Sequence, residues 1–249
     1  MRFMFREDSK SAAIGRVMLR AAIVKMYDLA WSHVRFGRSD KGKPVLTSPA
    51  EIVGECPSFN VTHDGDYVML ATDCGPFCGV DVMKVRFRPS ALQKTVKEYL
   101  ELMQGQFSQG EWRSMQVAKT DMEKLALFYR YWCLKESYVK ATGIGIHNDL
   151  AAVDFRYDND DPSSRRPTLW LCGKPASDQW RFTEYELEPD HVAAVCTGAE
   201  SEPNCRRRLG NELVFENVFI DDLLRSAQPI HDVDGDACDV FLAKPYKKQ

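Results

Sequence analysis

One segment carries an acidic and a basic residue at a spacing that could support proton transfer and phosphate binding, preceded by an aromatic residue at the same interval. Trp132, Glu136 and Lys140 follow one another at intervals of four residues, so on a helix they lie along one face. A carboxylate can accept a proton or bind a hard cation, and an ammonium group one turn further on can bind a phosphate. The same spacing is typical of an aromatic core contact followed by a surface Glu–Lys pair, so spacing alone leaves both interpretations open.

A second candidate is Asp81, which lies in the apolar run of residues 79–83 where a central strand would carry valine or isoleucine. Burying a carboxylate costs free energy unless it is paired or bound to a metal ion. Asp81 is therefore predicted to be either a ligand in a functional site or an aspartate at the end of a strand on a sheet edge.

Two more segments carry groups suited to phosphates. Asn60, Thr62 and His63 end a short strand, where the histidine could donate to a phosphate or cap the turn. Residues 37–44 form a loop rich in glycine, proline and cations, which suits phosphate by charge although basic loops are usually only solvated.

Composition excludes several classes of protein. The 249 residues are 44% hydrophobic and 28% charged, with a formal net charge of -3, which favours neither nucleic acid nor an anionic membrane. No stretch approaches the ~18 apolar residues of a spanning helix, and acidic residues at positions 7 and 8 are atypical of a targeting peptide. We therefore expect no nucleic-acid or membrane partner, and a cytosolic location.

The cysteines suggest neither a disulfide framework nor a zinc site. The chain has eight of them, at positions 56, 74, 78, 133, 172, 196, 205 and 238. Cys74 and Cys78 could form half of a zinc site, but no second pair with matching spacing follows and the five histidines are scattered. Reduced thiols are the expectation.

Periodicity predicts an α+β order in which each half has a helix followed by antiparallel-looking strands. Helices are predicted at 8–27, 89–104, 120–142 and 221–227, and Gly143 should end the third. Strands are predicted at 58–63, 67–72, 78–84, 152–157, 168–172, 180–187, 191–197 and 213–219. The turn at 73–76 predicts that the second and third strands form a hairpin, and residues 246–249 are expected to be frayed.

Taken in order along the chain, these segments form a specific signature. The Gly-Lys-Pro loop at 42–44, Asn-Val-Thr-His at 60–63, Gly-Val-Asp at 79–81 and Trp-Cys-Leu-Lys-Glu-Ser-Tyr-Val-Lys-Ala-Thr-Gly at 132–143 resemble the Sfp-type 4′-phosphopantetheinyl transferases. The resemblance covers nearly the whole chain and is nearest to the animal subgroup that acts on aminoadipate-semialdehyde dehydrogenase. It implies the fold of that family, a pseudo-two-fold pair of similar α+β subdomains, with boundaries at 1–88 and 89–200 and an extension at 201–249.

The resemblance also implies an activity and a set of site residues. The family transfers the phosphopantetheine arm of coenzyme A to a serine of an apo carrier domain, with Mg2+. It implies that Asp81 and Glu136 hold the metal ion, that Glu136 takes the serine proton and that Lys140 stabilises the leaving group. The residues it implies for coenzyme A are Arg38, Lys41, Gly42, Lys43, Pro44, Asn60, Thr62, His63, Ser137 and Lys140. Trp132 is assigned to packing, and Lys135 is expected to face solvent or the carrier.

Two departures from the family pattern qualify these expectations. Many bacterial members have a second acidic metal ligand two residues after the metal-binding aspartate. Here that position is Met83, which matches the animal subgroup, so a water molecule is expected to replace the acidic ligand. The family normally has some tens of residues before residue 3, including an arginine that contacts coenzyme A, so we expect a truncated first half.

Three hypotheses for function follow. The first is an active transferase that is a monomer and modifies carriers of the fatty acid synthase or aminoadipate reductase type. The second is a truncated, poorly active relative that binds coenzyme A or carrier domains. The third is an RNA-binding adaptor that uses the arginines at 206–208, although a run without interleaved aromatic residues is better explained as solvated.

Overall fold

The structure is a computed structural model that describes residues 4–40, 42–54, 57–73, 75–87, 89, 94–145, 149–157, 162–164, 167–176, 179–198, 215–228 and 235–247. The helices are α1 (Arg6–Tyr27), α2 (Ala50–Val53), α3 (Val96–Met103), α4 (Gln109–Val117), α5 (Asp121–Thr142), α6 (Ile220–Ser226) and α7 (Gly235–Leu242). The strands are β1 (Arg35–Arg38), β2 (Pro44–Ser48), β3 (Ser58–Asp64), β4 (Tyr67–Asp73), β5 (Phe77–Lys84), β6 (Val153–Tyr157), β7 (Pro167–Leu171), β8 (Lys174–Pro175), β9 (Arg181–Leu187) and β10 (His191–Gly198). The predicted α+β class is confirmed.

The two halves share a layout. In each half a 22-residue helix packs against antiparallel strands, α1 on the β3–β4 hairpin and α5 on β5 and β10. The helix α1 turns Gly15, Leu19 and Ile23 towards the interior. This repetition agrees with the predicted pair of similar subdomains.

The predicted pairing of residues 67–72 with 78–84 is wrong. β4 pairs with β3, and β5 instead pairs with β10 in the sheet order β5–β10–β9. The strand that carries Asp81 therefore shares a sheet with strands more than 90 residues later in the chain. The subdomain boundary at residue 88 stays a prediction, but β5, which precedes this boundary, forms hydrogen bonds with β10, which follows it.

The helix α5 has clear end signals. At its start, the Thr120 side chain accepts from the Glu123 N–H while the Glu123 carboxylate accepts from the Thr120 N–H, which is a capping box. At its end, Gly143 has a φ of 66°, a left-handed conformation that glycine adopts without steric cost. These signals fix where Glu136 and Lys140 stand relative to the sheet.

Other boundaries differ from prediction. The loop at 37–44 is the turn of a hairpin formed by β1 and β2. The second helix begins at Val96, not at 89, because Thr95 and Glu98 form a capping box there. Helices α2, α4 and α7 were not predicted. The described part of the strand expected at 213–219 is irregular, whereas α6 confirms the helix at 221–227. Lys41, Cys56, Cys74, Cys205 and the arginines at 206–208 lie outside the described residues.

Two core clusters lie on the two faces of the β5–β10 pair, and a third joins Ile23 of α1 to Val34 and Leu46 at the β1–β2 hairpin. The first cluster surrounds α5 and includes Phe128 and Tyr131, and the second joins Val80 and Val82 of β5 to β4. Trp132 stacks on Phe128 with ring centroids 6.1 Å apart and packs against the first cluster, in keeping with the expected packing role. Among the described helices, we find none that combines the length and the apolar content needed to span a bilayer.

Gly79 permits the close approach of β5 to α5, which yields our first prediction. A Cβ atom at position 79 would lie 1.9 Å from the backbone oxygen of Ser137 and 2.6 Å from the backbone nitrogen of Ala141. Because backbone atoms cannot move aside, Gly79→Ala should lower the free energy of unfolding by about 2–3 kcal/mol. Urea denaturation measures this loss. Gly54→Ala is the control, since a Cβ there meets nothing within 4 Å, and equal stability of both variants would contradict the close packing.

Candidate active site

Asp81 lies in the middle of β5 and is almost fully buried, with 5% of its surface exposed. Its Oδ1 accepts hydrogen bonds from Lys140 Nζ at 2.6 Å and from Thr62 Oγ1 at 3.2 Å. Its Oδ2 is buried and has no hydrogen-bond partner among the described residues. Burial raises the pKa of Asp81, and the Lys140 cation opposes that shift. This is a buried carboxylate with one oxygen still available.

Glu136 supplies a second carboxylate from the facing side of α5. It is 8% exposed, and its Oε1 is also buried without a partner in the described part of the chain. Burial raises the pKa of Glu136, the negative charge of Asp81 raises it further, and Lys140 opposes both. The two carboxylates therefore lie close enough to repel each other, a repulsion that a cation would relieve.

These residues fit a hard divalent cation. Two neighbouring carboxylates each have an unpaired buried oxygen, and oxygen atoms are the ligands that Mg2+ prefers. The described residues contain no group of three or more His, Cys, Asp or Glu side chains arranged for a metal ion. The protein thus offers two ligands, and other positions would be filled by substrate oxygens and water, as Mg2+ usually requires.

Side chains of β3 occupy the edge of β5 that does not pair with β10. Asn60 Oδ1 accepts from the Val80 N–H at 3.0 Å, and Asp64 Oδ2 accepts from the Lys84 N–H at 2.9 Å. Lys140 Nζ donates to the Val80 carbonyl on the same edge at 3.2 Å. Asn60 therefore connects the first half of the chain to the site strand, and its side-chain oxygen is already engaged.

The predicted cationic loop reaches the site through Lys43. Its Nζ donates to the carbonyls of Cys78 at 3.2 Å and Ala141 at 3.4 Å, and burial lowers its pKa. Arg38 is exposed and donates to the carbonyl of Gly42 at 2.7 Å, while Gly42 has a φ of 79°. Lys43 thus joins the β1–β2 hairpin to β5 and to the end of α5. Pro44 begins β2 beside it.

His63 is half-buried on β3, two residues before the turn. Burial lowers its pKa from the usual 6.5, an effect that Asp8 opposes and that Lys247 and Lys140 reinforce. These groups are therefore its electrostatic neighbours. The structure brings His63 together with Lys140, in accordance with the sequence order, and adds two residues from the chain termini that were not expected.

Two expectations for α5 need correction. Lys135 does not face solvent, because its side chain is fully buried and its Nζ forms an ion pair with Glu111 Oε2 at 2.8 Å. It also donates to the carbonyls of Leu150 and Val153. Ser137 is fully buried as well, and its hydroxyl donates to the Leu134 carbonyl at 2.8 Å, so it is not open to coenzyme A in this conformation.

Cys133 is a neighbour of the site that the motif did not identify. It is fully buried on α5, its pKa is raised by burial and then by the charge of Asp81, and its contact lowers the pKa of Asp81. Its spacing of three and seven residues before Glu136 and Lys140 places it on their helical face. That spacing was visible in the sequence and could have revealed it.

Comparison with known proteins places the chain in a family. Residues 1–75 match the family "4'-phosphopantetheinyl transferase, N-terminal", and residues 77–196 match "4'-phosphopantetheinyl transferase superfamily". The L-aminoadipate-semialdehyde dehydrogenase-phosphopantetheinyl transferase of Xenopus laevis is 32% identical over 97% of this chain and 81% of its own length. The chain belongs to the 4'-phosphopantetheinyl transferase superfamily. The human protein of the same name is 30% identical, over 96% of this chain and 79% of that protein.

The bacterial branch of the phosphopantetheinyl transferases is also represented. The 4'-phosphopantetheinyl transferase Sfp of Bacillus subtilis is 28% identical over 81% of this chain and 80% of its own length. The junction of the two family matches falls between β4 and β5. The hairpin with Lys43 and the strand with His63 therefore lie in the N-terminal match, whereas Asp81, Glu136 and Lys140 lie in the other.

Proposed function

We propose that this phosphopantetheinyl transferase moves the 4′-phosphopantetheine arm of coenzyme A to a serine hydroxyl of an apo carrier domain, with adenosine 3′,5′-bisphosphate as the leaving group. The observation that carries the proposal is the meeting of Asp81, Glu136 and Lys140 at the β5–α5 junction, where two buried carboxylate oxygens have no hydrogen-bond partner among the described residues. Residues of this type stabilise the charge that develops in phosphoryl transfer.

In the proposed reaction, the serine oxygen bonds to the phosphorus that carries the pantetheine arm. The bond from that phosphorus to the bridging oxygen breaks, and the bridging oxygen leaves with the nucleotide. Glu136 accepts the serine proton, directly or through a water molecule. Lys140 Nζ places a positive charge next to the leaving phosphate.

Asp81 and Glu136 would hold Mg2+, which when bound neutralises negative charge on the diphosphate. Asp81 contributes through the free Oδ2, since Lys140 and Thr62 occupy Oδ1. Lys140 therefore keeps one oxygen of Asp81 engaged and orients the other. This division of the two oxygens supports the assignment.

The nucleotide end of coenzyme A is proposed to bind along the β1–β2 hairpin and the end of β3. Arg38 is an exposed cation at the end of β1, next to the turn of the hairpin, and Lys43 fixes the hairpin against β5 and α5. Thr62 accepts a hydrogen bond from Lys140 Nζ at 3.0 Å, and His63 is an electrostatic neighbour of Lys140. The backbone at Gly42 and Pro44, together with Lys41, completes the proposed set, while Asn60 supports it by holding β5.

Transfer and mere binding are separated by two measurements on the same preparation. Calorimetry with coenzyme A reports binding, and chromatography of a mixture with coenzyme A, Mg2+ and an apo acyl carrier protein reports release of adenosine 3′,5′-bisphosphate. We expect binding and release, with release abolished by a metal chelator. Binding without release would favour a relative that only binds coenzyme A.

Lys140→Ala should reduce kcat about 100-fold and change the KM for coenzyme A by less than about threefold. The reason is that the Lys140 cation acts on charge that grows as the leaving group departs. Steady-state kinetics on the carrier measures both constants. Lys124→Ala on the same helix is the control, because Lys124 pairs with Asp121 at the opposite end of α5. An unchanged kcat would show that the role assigned to Lys140 is wrong.

The partners we propose are apo carrier domains of the fatty acid synthase or aminoadipate reductase type, with the enzyme acting as a monomer in the cytosol. Five described cysteines, at positions 78, 133, 172, 196 and 238, are free thiols, which is usual in a reducing compartment.

A further inference from the structure

The last described residues of the chain pack against the start of α1. We call residues 241–247 the C-terminal strap. Arg6 anchors it, because its backbone N–H donates to the Pro245 carbonyl at 3.0 Å and its Nη1 donates to the Tyr246 hydroxyl at 2.7 Å. The Arg6 guanidinium also lies 4.3 Å from the centroid of the Tyr246 ring. Residues 246 and 247 are therefore held in place and not frayed as the sequence suggested.

The strap ends with Lys247 tied to two acids of the first turn of α1. Its backbone N–H donates to Glu7 Oε2 at 3.1 Å, and its Nζ lies 2.6 Å from Asp8 Oδ1. The side chains of Lys247 and Asp8 are 34% and 23% exposed. Water reaches this ion pair, so the pair is weak and its lysine can change partners.

This ion pair lies on the part of α1 that packs against the β3–β4 hairpin, because Asp8 lies two helical turns before Gly15, and a Cβ atom at position 15 would lie 2.7 Å from Val61 Cγ1 and 3.5 Å from Val68 Cγ1. Val68 is the β4 partner of His63, which belongs to the proposed coenzyme A site.

Both Asp8 and Lys247 act electrostatically on His63. Lys140, which forms an ion pair with Asp81, does so as well. His63 therefore has two such pairs as neighbours, Lys140 with Asp81 and Lys247 with Asp8. In phosphate sites, a lysine gains more from a phosphate oxygen than from an exposed carboxylate, because the phosphate carries more charge and more acceptors.

We propose that Lys247 is a substrate-binding residue that exchanges Asp8 for a phosphate group of coenzyme A next to His63. The proposal rests on the proposed function, and it adds to the site a cation from the far end of the chain. In the free enzyme, Asp8 keeps the ammonium group of Lys247 in position. The contacts of the strap with Arg6 and Glu7 fix the backbone that carries Lys247.

The test compares substitutions of Lys247 in the full chain at pH 8. Lys247→Ala keeps the backbone contacts of the strap and removes the charge, so the Kd of coenzyme A in calorimetry and its KM should rise about fivefold with kcat within about twofold. Lys247→Arg should restore most of the affinity. Lys174→Ala is the charge-matched control, since Lys174 is exposed on β8, in the sheet with β6 and β7, and should bind like the unmodified protein.

Asp8→Asn distinguishes substrate binding from a structural role. It breaks the same ion pair but leaves the Lys247 cation free, so the Kd should not rise. At pH 8 His63 is neutral in both proteins, because burial already lowers its pKa from 6.5. If Lys247→Ala and Asp8→Asn weaken binding equally, or if Lys247→Ala binds normally, the inference is wrong. An unmodified protein that neither binds coenzyme A nor modifies a carrier would instead contradict the proposed function.

Discussion

Asp81→Asn should reduce transfer to an apo carrier by at least about 1,000-fold and leave the fold intact. The substitution keeps the size of the side chain but removes the charge next to Lys140 and the free oxygen that we assign to the metal ion. Burial raises the pKa of Asp81, which means that the folded protein disfavours its charged form. Stability at neutral pH should therefore be equal or slightly higher without the charge.

Initial rates of carrier modification and a thermal melt measure the two effects on the same sample. Asp66→Asn is the control, because Asp66 is exposed at the β3–β4 turn and pairs with Lys84 at 2.7 Å. It should transfer within about twofold of the unmodified protein. Near-normal transfer by Asp81→Asn would overturn the metal assignment, and a large loss of Tm would show that the aspartate is needed for folding.

Lys135→Met should lower the free energy of unfolding by about 3–5 kcal/mol, the usual cost of leaving one partner of a buried ion pair unpaired. Lys135 and Glu111 both have fully buried side chains, and their atoms approach to 2.8 Å. Glu111 also accepts from the backbone N–H groups of Ser108 and Phe155. The pair thereby fastens α5 to the start of α4 and to β6.

A double variant separates the charge from the packing. Lys135→Met combined with Glu111→Gln removes both charges and keeps an acceptor for Phe155, so it should be more stable than Lys135→Met alone in urea denaturation. Because Lys135 points away from the substrate, kcat of the folded fraction should stay within about threefold. A loss below about 1 kcal/mol for Lys135→Met would contradict the buried pair.

Local signals explain why α5 was predictable. The capping box of Thr120 and Glu123 and the left-handed glycine at 143 each depend on residues a few positions apart, and both are visible in the sequence. A similar box at Ser108 and Glu111 marks the start of α4, so this helix could also have been found. Glu111 then forms the buried ion pair with Lys135, a contact that local spacing does not reveal.

Pairings between distant segments could not be read from the sequence. The turn at 73–76 suggested a hairpin, yet β5 pairs with β10, because strand choice depends on which apolar faces can be buried together. The buried state of Lys135 has the same origin, since its partner comes from α4. By contrast, Asp81 was noticed because a carboxylate in an apolar strand needs a partner, and Lys140 provides one.

The most direct test is the intact mass of an apo carrier protein after incubation with coenzyme A, Mg2+ and either the unmodified chain or Glu136→Gln. Glu136→Gln keeps the shape of the side chain and removes the base and metal ligand. We predict that the unmodified chain shifts the carrier by the mass of one phosphopantetheine group and that the variant leaves it unchanged, even in large excess. A carrier left unmodified by the unmodified chain, or modified equally by both proteins, would contradict the account.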